Sequence, residues 1–153
     1  AHRPSAGCCS ANGRYRLTYK GQGSLTVQGN VRNVKRVGND FWFDFTTGPE
    51  FAEVVIKRTD PHKTGDYIRD ISVVKEENIP LFEAGALFNP AWIKLIQDQR
   101  LVRFMDWMYT NNSQISQWDD RPKVNDVTYT RVGVPVEIMV ELANQIGADP
   151  WFT

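Results

Sequence analysis

Histidine and cysteine are scarce in this sequence, and their scarcity excludes several chemistries. His2 and His62 are the only imidazoles, so a zinc hydrolase built on a histidine cluster is excluded. Cys8 and Cys9 are adjacent, which strains any bridge between them and rules out the paired ligands of a structural zinc site. We predict free or intermolecular thiols in a loose leader over residues 1–12. His62 lies in a polar turn, which predicts a solvated side chain rather than a catalytic base.

Excess charge and long apolar runs are also lacking. The 18 basic side chains are balanced by 18 acidic ones, so no extended positive field would attract nucleic acid. No apolar run approaches the roughly 20 residues of a membrane helix, and the first residues lack the apolar core of a signal peptide. We therefore expect no nucleic-acid or membrane partner, and an export signal that is missing or already removed.

The first half of the chain consists of short alternating runs that predict β-strands. Residues 15–19 and 24–27 alternate apolar and polar side chains on either side of Gly21-Gln22-Gly23, a pattern that predicts a hairpin. Four further strands are predicted at 31–37, 41–45, 52–57 and 67–75. Six short strands at roughly ten-residue spacing, with no helical period, predict an antiparallel β-sandwich, or a large part of one, over residues 13–80.

After about residue 80 the pattern predicts helices and parallel strands. Asn89-Pro90 predicts a helix start, since asparagine caps free N–H groups and proline at the first helical position has no N–H to satisfy. The run 101–107 predicts a buried strand, 135–147 a second helix, and 148–152 another strand. This order predicts one β-α-β unit, an incomplete part of a barrel that needs eight strands and typically about 250 residues. The predicted fold class is α+β, with this unit over residues 81–153.

A loop of about 27 residues, from Trp107 to Gly133, contains most of the candidate site. Loops longer than about 12 to 15 residues are uncommon unless they are functional or disordered. This loop leaves the carboxyl end of a predicted parallel strand, where such folds place their sites, and its indole, carboxylate, amide and guanidinium groups suit a hydroxylated ligand. The catalytic candidates are Asp106, Arg103 and Asp120. The substrate-binding candidates are Trp107, Asn111, Trp118, Asp119 and Arg121, with Trp42 from the aromatic strand.

Structural roles stay open for the same side chains. Asp120 and Arg121 could cap or pair within the loop, and Trp118 could form a small core of its own. Asp106 could be a buried partner of Arg103 or Arg121. The pattern therefore predicts which residues surround a site without fixing what each of them does.

Metal binding has weak support in the sequence. Asp119 and Asp120 are adjacent, so on an extended segment they point to opposite sides. Calcium on the sandwich is chemically reasonable, although no calcium-loop spacing supports it. Its candidate ligands are Asp40, Asp44, Glu50, Glu53 and Asp66. The metal stays unknown, and no cofactor is required.

From Phe88 onward the chain resembles a family of large, secreted bacterial glycoside-hydrolase-like proteins, often described as cellulose-binding or hypothetical, that combine a β-sandwich with a (β/α)8 barrel. The likeness is carried by the runs 88–90, 103–107, 110–111, 118–122, 133–137, 142–144 and 148–152. Residues 13–15, 19–23 and 67–71 resemble the later part of that family's sandwich. The resemblance implies an extracellular or periplasmic parent protein and a polysaccharide, an oligosaccharide or another neutral polar molecule as ligand.

The sequence departs from the family where catalysis would occur. Relatives of this kind carry their acid/base carboxylate in an Asn-Glu pair, whereas here Glu77-Asn78 has the reverse order and no Asn-Glu pair occurs. The resemblance thus implies an internal or truncated piece, in which ordinary retaining chemistry with two paired carboxylates is not expected.

Three interpretations remain. The first is a hydrolase-related piece in which Asp106 activates water against a glycoside, ester or lactone while arginine or a bound cation stabilises the oxyanion. The second is a non-catalytic carbohydrate-binding sandwich module that uses Trp42, Phe43 and Tyr67. The third is an assembly subunit whose open barrel edge is completed by another chain, as in a homo-oligomer that covers the open sheet edges.

Overall fold

The computed structural model describes residues 11–153. The predicted thiols Cys8 and Cys9, His2 and most of the predicted leader lie outside the described residues. The described chain is a mixed α+β protein with mostly antiparallel sheets and few helices. It divides into two compact units, with the boundary between Leu87 and Phe88.

The unit that precedes Phe88 contains six strands, as the alternating runs predict. They are β1 (Gly13–Lys20), β2 (Gly23–Gly29), β3 (Val31–Val37), β4 (Asp40–Phe45), β5 (Ala52–Thr59) and β6 (Arg69–Lys75). One sheet has the order β3-β4-β1-β6, and β2 pairs with β5 in a second sheet. All of these pairings are antiparallel.

The core of this unit is formed by alternate residues of both sheets. Leu17 on β1 is fully buried, and Phe41 and Phe43 on β4 pack with Leu25 and Val27 on β2. Because successive side chains of a strand point to opposite faces, the alternation in the sequence places these residues on one side of each sheet. Partly buried aromatic side chains complete the cluster, with the Tyr15 and Phe43 rings stacked at 5.8 Å between centroids.

The predicted hairpin between residues 15–19 and 24–27 is wrong. β1 pairs with β4 and β6, while β2 pairs with β5, so the chain passes from one sheet to the other at Gly21-Gln22-Gly23. Gln22 donates its N–H to the Asp66 carbonyl and accepts from the Asp60 N–H, both at 2.8 Å. A Cβ on Gly21 would overlap the Tyr67 carbonyl. The glycine therefore permits close approach of another backbone segment, which the local pattern does not distinguish from a hairpin turn.

A short helix that the sequence analysis did not predict follows β6. Residues 76–78 form a single 3-10 turn, and α1 spans Ile79–Glu83 with Pro80 in its first turn. Its last residue, Glu83, accepts a 2.8 Å ion-pair hydrogen bond from Arg16 on β1. Five residues are too few for a helical period to be recognised, so this element depends on its surroundings.

The unit from Phe88 begins with the predicted helix. α2 spans Pro90–Ile96, and the Asn89 side chain accepts a hydrogen bond from the Ala91 N–H at 2.8 Å. The expected asparagine cap with proline in the first turn is confirmed.

Two short parallel strands joined by a loop and a helix complete the second unit. β7 (Leu101–Arg103) pairs with β8 (Asp149–Trp151), and α3 spans Val136–Ile146 between them. α3 ends at Gly147, whose φ of +67° lies in the left-handed region where glycine is favoured. The predicted order of elements and the parallel pairing are confirmed.

The predicted strand over 101–107 is too long. The Phe104 N–H donates to the Trp151 carbonyl at 3.0 Å, and the backbone then turns, with the Met108 N–H bonded to the Phe104 carbonyl at 2.9 Å. β8 has only three residues, so the pairing partner ends where β7 ends. Asp106 and Trp107 therefore lie in the turns after the strand and not at its end.

The core of the second unit lies between α3 and an aromatic cluster. Met139 and Leu142 on α3 pack against Phe104. The Trp107 ring stacks on the Trp92 ring with 6.1 Å between their centroids, and the centroids of the Trp107 and Phe104 rings are 5.5 Å apart. In the part of the chain that the structure describes, no helix has both the length and the apolar character needed to cross a membrane.

Candidate functional site

The loop from β7 to α3 is fixed at both ends by backbone contacts. The Val134 N–H donates to the Trp107 carbonyl at 2.7 Å, which closes the loop on itself. Gly133 has a φ of +98°, and a Cβ there would lie 2.5 Å from the Trp107 carbonyl oxygen. Glycine is thus required for the loop to return to the point where it began. Within it, Thr110–Asn112 and Trp118–Asp120 form single 3-10 turns.

This loop and α3 enclose a cavity of about 650 Å³, which we call the loop cavity. Its apolar lining comprises Met108, Ile115, Trp118, Pro122, Val132, Val134, Val136, Met139 and Phe152. Its polar lining comprises Thr110, Ser113, Ser116, Gln117, Arg121 and Thr153. A largely apolar wall with a few hydroxyl, amide and guanidinium groups is the usual composition of a small-molecule site, and the volume lies within the usual range for one.

Arg121 organises one wall of the loop cavity. Its guanidinium carbon lies 4.0 Å from the centre of the Trp118 ring, and Nη1 donates to the Trp118 carbonyl at 3.3 Å. Nη2 donates to Glu137 Oε1 at 3.1 Å, in the first turn of α3. Nε is buried and has no hydrogen-bond partner among the described atoms. A buried donor without a partner costs free energy, so this arrangement of Arg121 is maintained by its contacts with Trp118 and Glu137.

Glu137 holds Arg121 in place as a carboxylate. Its pKa is lowered by a hydrogen bond with its own backbone N–H and by the hydrogen bond from Arg121. The N-terminal turn of a helix favours a negative charge, and the guanidinium does the same. The pair therefore stays ionised at neutral pH.

Two threonines contribute hydroxyl groups to another part of the cavity. The Thr110 and Thr153 hydroxyl oxygens are 2.7 Å apart, and Thr110 donates to the Met105 carbonyl at 2.8 Å. The Thr153 N–H lies 3.2 Å from the Met108 sulfur. Because Thr110 gives its hydroxyl hydrogen to Met105, Thr153 is the donor in the contact between the two threonines, and both oxygens can accept a hydrogen bond from a hydroxylated ligand.

The structure brings two of the predicted binding residues into the loop cavity, Trp118 and Arg121. Asp119 and Asp120 share the 3-10 turn with Trp118, but both are exposed and do not line the cavity. Asn111 is also exposed and outside the lining. The charged cluster predicted from neighbouring residues is therefore divided between the cavity and the surface.

Arg103 and Trp107 lie at a different hollow of about 300 Å³, together with residues of α2 and β7. The Arg103 guanidinium stacks over the Trp151 ring at 4.8 Å, and the register pairs these two residues across the parallel strands. Trp107 packs against Trp92 and Phe104. Both side chains thus make structural contacts in this arrangement.

Asp106 is exposed, and its carboxylate makes no ion pair or side-chain hydrogen bond within residues 11–153. The alternative that it is a buried partner of Arg103 or Arg121 is wrong, because Arg103 stacks on Trp151 and Arg121 pairs with Glu137. A water-activating role for Asp106 stays a prediction.

Trp42 belongs to the other compact unit. It lies on β4 between the buried residues Phe41 and Phe43, so it faces away from that core. The Arg14 guanidinium lies over its ring at 5.1 Å from the centroid. The aromatic strand therefore has one face in the core and one outside it.

Metal ligands do not converge in the described part of the protein. Between residues 11 and 153, no group of three or more His, Cys, Asp or Glu side chains is arranged to hold a metal ion. Some of the calcium ligands suggested from the sequence are instead bound to other side chains. Asp44 accepts from the Asn33 amide at 2.6 Å, and Asp66 pairs with Arg69 at 2.6 Å.

Several cavity residues were not singled out from the sequence. Ser113, Ser116, Gln117 and Thr110 lie in the long loop, so the unusual loop length was a signal for the segment but not for these positions. Thr153 follows β8, and the pairing of β8 with β7 places it beside the loop, but no local signal marks this position as part of a site.

Compared with protein-family models, with curated proteins and with solved structures, the chain matches none of them. The case for a function therefore rests on the residues and their geometry.

Proposed function

We propose that the chain binds a neutral carbohydrate in the loop cavity and forms part of a secreted, glycoside-hydrolase-related protein. The observation that carries this proposal is the lining of the loop cavity, which combines aromatic and aliphatic side chains with hydroxyl, amide and guanidinium groups. A sugar presents apolar C–H faces and a rim of hydroxyl groups, so it needs both kinds of contact.

Trp118 is the expected stacking surface. Its side chain is 69% exposed although Arg121 covers one ring face, so part of the indole stays accessible. Gln117 and the guanidinium of Arg121 can donate to ligand hydroxyl oxygens, while the Thr110 and Thr153 hydroxyl oxygens can accept from ligand hydroxyls. Trp118 thus contacts the apolar face of the sugar, and the neighbouring polar groups orient its hydroxyls.

The same proposal includes a finer description of the fold. Residues of both sheets share the core of the first unit, which supports a β-sandwich for that unit. A parallel strand pair connected through α3 supports a barrel-type β-α-β unit after Phe88.

Binding is favoured over hydrolysis because the loop cavity is lined by no Asp or Glu in the described structure. Carboxylate-based hydrolysis needs a carboxylate within hydrogen-bond reach of the water or the leaving group. A second candidate function is nevertheless supported by one observation. Asp106 is exposed, unpaired within the described residues and follows the carboxyl end of a parallel strand, where such folds place catalytic groups.

The binding proposal is tested by calorimetric titration of the full chain with soluble neutral oligosaccharides, beginning with cello-oligosaccharides. We expect Trp118→Ala to weaken binding by at least about tenfold, a change equivalent to about 1.4 kcal/mol. Trp42→Ala is the matched control, because it removes an indole from the other unit and should leave the affinity unchanged.

Loss of binding in Trp42→Ala with retention in Trp118→Ala would instead support the sandwich as the binding module. The hydrolase candidate is tested separately with activated glycosides and esters. Asp106→Asn should abolish turnover if Asp106 is the base, and unchanged turnover in the folded variant would exclude that role.

A further inference from the structure

The face of the four-stranded sheet that points away from the core contains an unusual concentration of cations. β1 contributes Arg14, which is paired in register with Asp44, and Arg16, which is paired with Trp42. The buried residues Phe41 and Phe43 alternate with these partners on β4, so all four side chains share the face opposite the core.

A bulge in β3 adds two more cations to this face. Arg32 is in register with Asp44, and Lys35 is in register with Trp42, although residues three apart on a regular strand would point to opposite faces. The register shifts between them at Asn33, whose φ of +53° is in the left-handed region that asparagine tolerates better than most residues. The extra residue of the bulge thus turns both cations to the same side.

Four of these side chains surround a hollow of about 310 Å³, which we call the sheet hollow: Arg14, Asn33, Lys35 and Asp44. Asp44 accepts from the Asn33 amide at 2.6 Å. The side chains of Arg14, Arg32 and Lys35 form no ion pair or hydrogen bond with another described residue. The two lining cations and the adjacent Arg32 outnumber the one carboxylate, so the hollow attracts an anion.

Arg14 is oriented for a planar anion. Its guanidinium lies over the Trp42 ring, which limits its rotation and leaves N–H groups at its edge for a ligand. A guanidinium edge matches a carboxylate or a phosphate with two parallel hydrogen bonds, and Lys35 supplies a further positive charge.

The remaining lining residues discriminate between these anions. Asp44 accepts from Asn33 and can accept a further hydrogen bond from a ligand hydroxyl, but it repels a group that offers only acceptors, while the Asn33 carbonyl oxygen can accept from hydroxyls. A sugar acid presents a carboxylate and hydroxyl donors on one ring, whereas a DNA phosphodiester presents acceptors alone. The balanced charge of the whole chain also gives little support to polyphosphate binding.

We propose that the sheet hollow binds the uronate residues of an acidic polysaccharide, with Arg14 and Lys35 on the carboxylate and Asn33 and Asp44 on neighbouring hydroxyls. This inference is independent of the loop cavity, because it uses residues of the first unit and a different ligand class.

The test is titration of the full chain with oligogalacturonates at low salt. We expect binding that weakens as salt is added, since exposed charges are screened. The double variant Arg14→Gln/Lys35→Gln should lose at least about tenfold in affinity. The matched control Lys57→Gln/Arg58→Gln removes two exposed cations of β5 and should stay within about twofold of the unmodified chain.

Three further measurements distinguish specific uronate binding from a general attraction of anions, from binding of neutral sugars and from binding of nucleic acid. Arg14→Lys keeps the charge but loses the planar edge, and we expect it to bind more weakly than the unmodified chain. Carboxyl-reduced, neutral oligomers should not bind at the hollow. Equal losses in the two double variants, a loss of affinity for neutral oligomers in Arg14→Gln/Lys35→Gln as large as the loss for uronates, unchanged affinity in Arg14→Lys, or tighter binding of a single-stranded oligonucleotide would each overturn the proposal.

Discussion

The unit that precedes Phe88 and the unit that follows it place their important side chains by different means. In the first, strand register decides which residues face the core, and Leu17, Phe41 and Phe43 follow directly from alternation. In the second, a long loop positions the cavity residues through single contacts such as the one from Val134 to Trp107. A periodic pattern therefore predicts the core of the first unit, while the site of the second depends on contacts that have no period.

The largest loss of stability on mutation is expected in the core of the first unit. Leu17 is 0% exposed and touches residues of both sheets, so Leu17→Ala should lower the free energy of unfolding by about 2–5 kcal/mol. Val37→Ala on exposed β3 should change it by less than about 0.5 kcal/mol. Denaturant unfolding measures both. Similar losses in the two variants would contradict a core shared by the two sheets.

In the second unit the largest expected loss comes from a loop glycine. Gly133→Ala combines a φ of +98° with a backbone contact at 2.5 Å, so it should cost about 2–3 kcal/mol. Gly147→Ala is the matched control, because its φ of +67° is similar in kind but its Cβ would meet open space.

Gly147→Ala should lower the free energy of unfolding by roughly 1 kcal/mol, from backbone strain alone. Titration of oligosaccharide should then separate the two variants further, since Gly133 closes the loop that lines the cavity and Gly147 ends α3. Equal effects on stability and on binding would show that loop closure does not depend on this glycine.

The sequence predicted much of the fold and less of the site, for a physical reason. All six early strands, α2, α3 and the parallel pair were foreseen because alternation, the Asn89 cap and Gly147 are local signals. The hairpin at Gly21 was wrong, since the glycine accommodates a backbone segment far along the chain. Local patterns do not contain such contacts.

The candidate site shows the same limit. Loop length predicted the segment, and its composition singled out Trp118 and Arg121, which line the cavity. It also singled out Asp119 and Asp120, which a single 3-10 turn places on the surface. The partner of Arg121 is Glu137, on α3, so adjacency in the sequence did not reveal it.

A smaller effect, confined to acidic pH, is expected from the buried carboxylate of Asp60, which follows β5. Asp60 is 6% exposed and accepts hydrogen bonds from the Thr64 and Gly65 N–H groups and from the Thr64 hydroxyl. Burial alone would raise the pKa of Asp60, but these hydrogen bonds together lower it below the ordinary value of 3.8.

A lowered pKa means that the folded state binds the proton less readily than the unfolded state. The contribution of Asp60 to stability is therefore complete above pH 3.8 and is lost as the pH falls through the lower pKa of the folded state. Asp60→Asn should flatten the dependence of stability on pH in this acidic range. Glu50→Gln, at an exposed position of the same unit, should leave the dependence unchanged, and a similar flattening there would exclude Asp60 as the cause.

The smallest expected effect tests whether Arg103 serves the fold or a reaction. Arg103 stacks over Trp151 across the two parallel strands, so Arg103→Met should keep the aliphatic packing and lose the cation–π contact, at a cost of about 0.5–1 kcal/mol. Arg100→Met, at an exposed residue just before β7, should have no measurable effect. If Arg103→Met instead leaves stability unchanged and abolishes turnover of an activated glycoside or ester, the residue acts on substrate, as the sequence first suggested. A loss of stability with unchanged oligosaccharide binding would place Arg103 among the contacts that hold the two parallel strands of the second unit together.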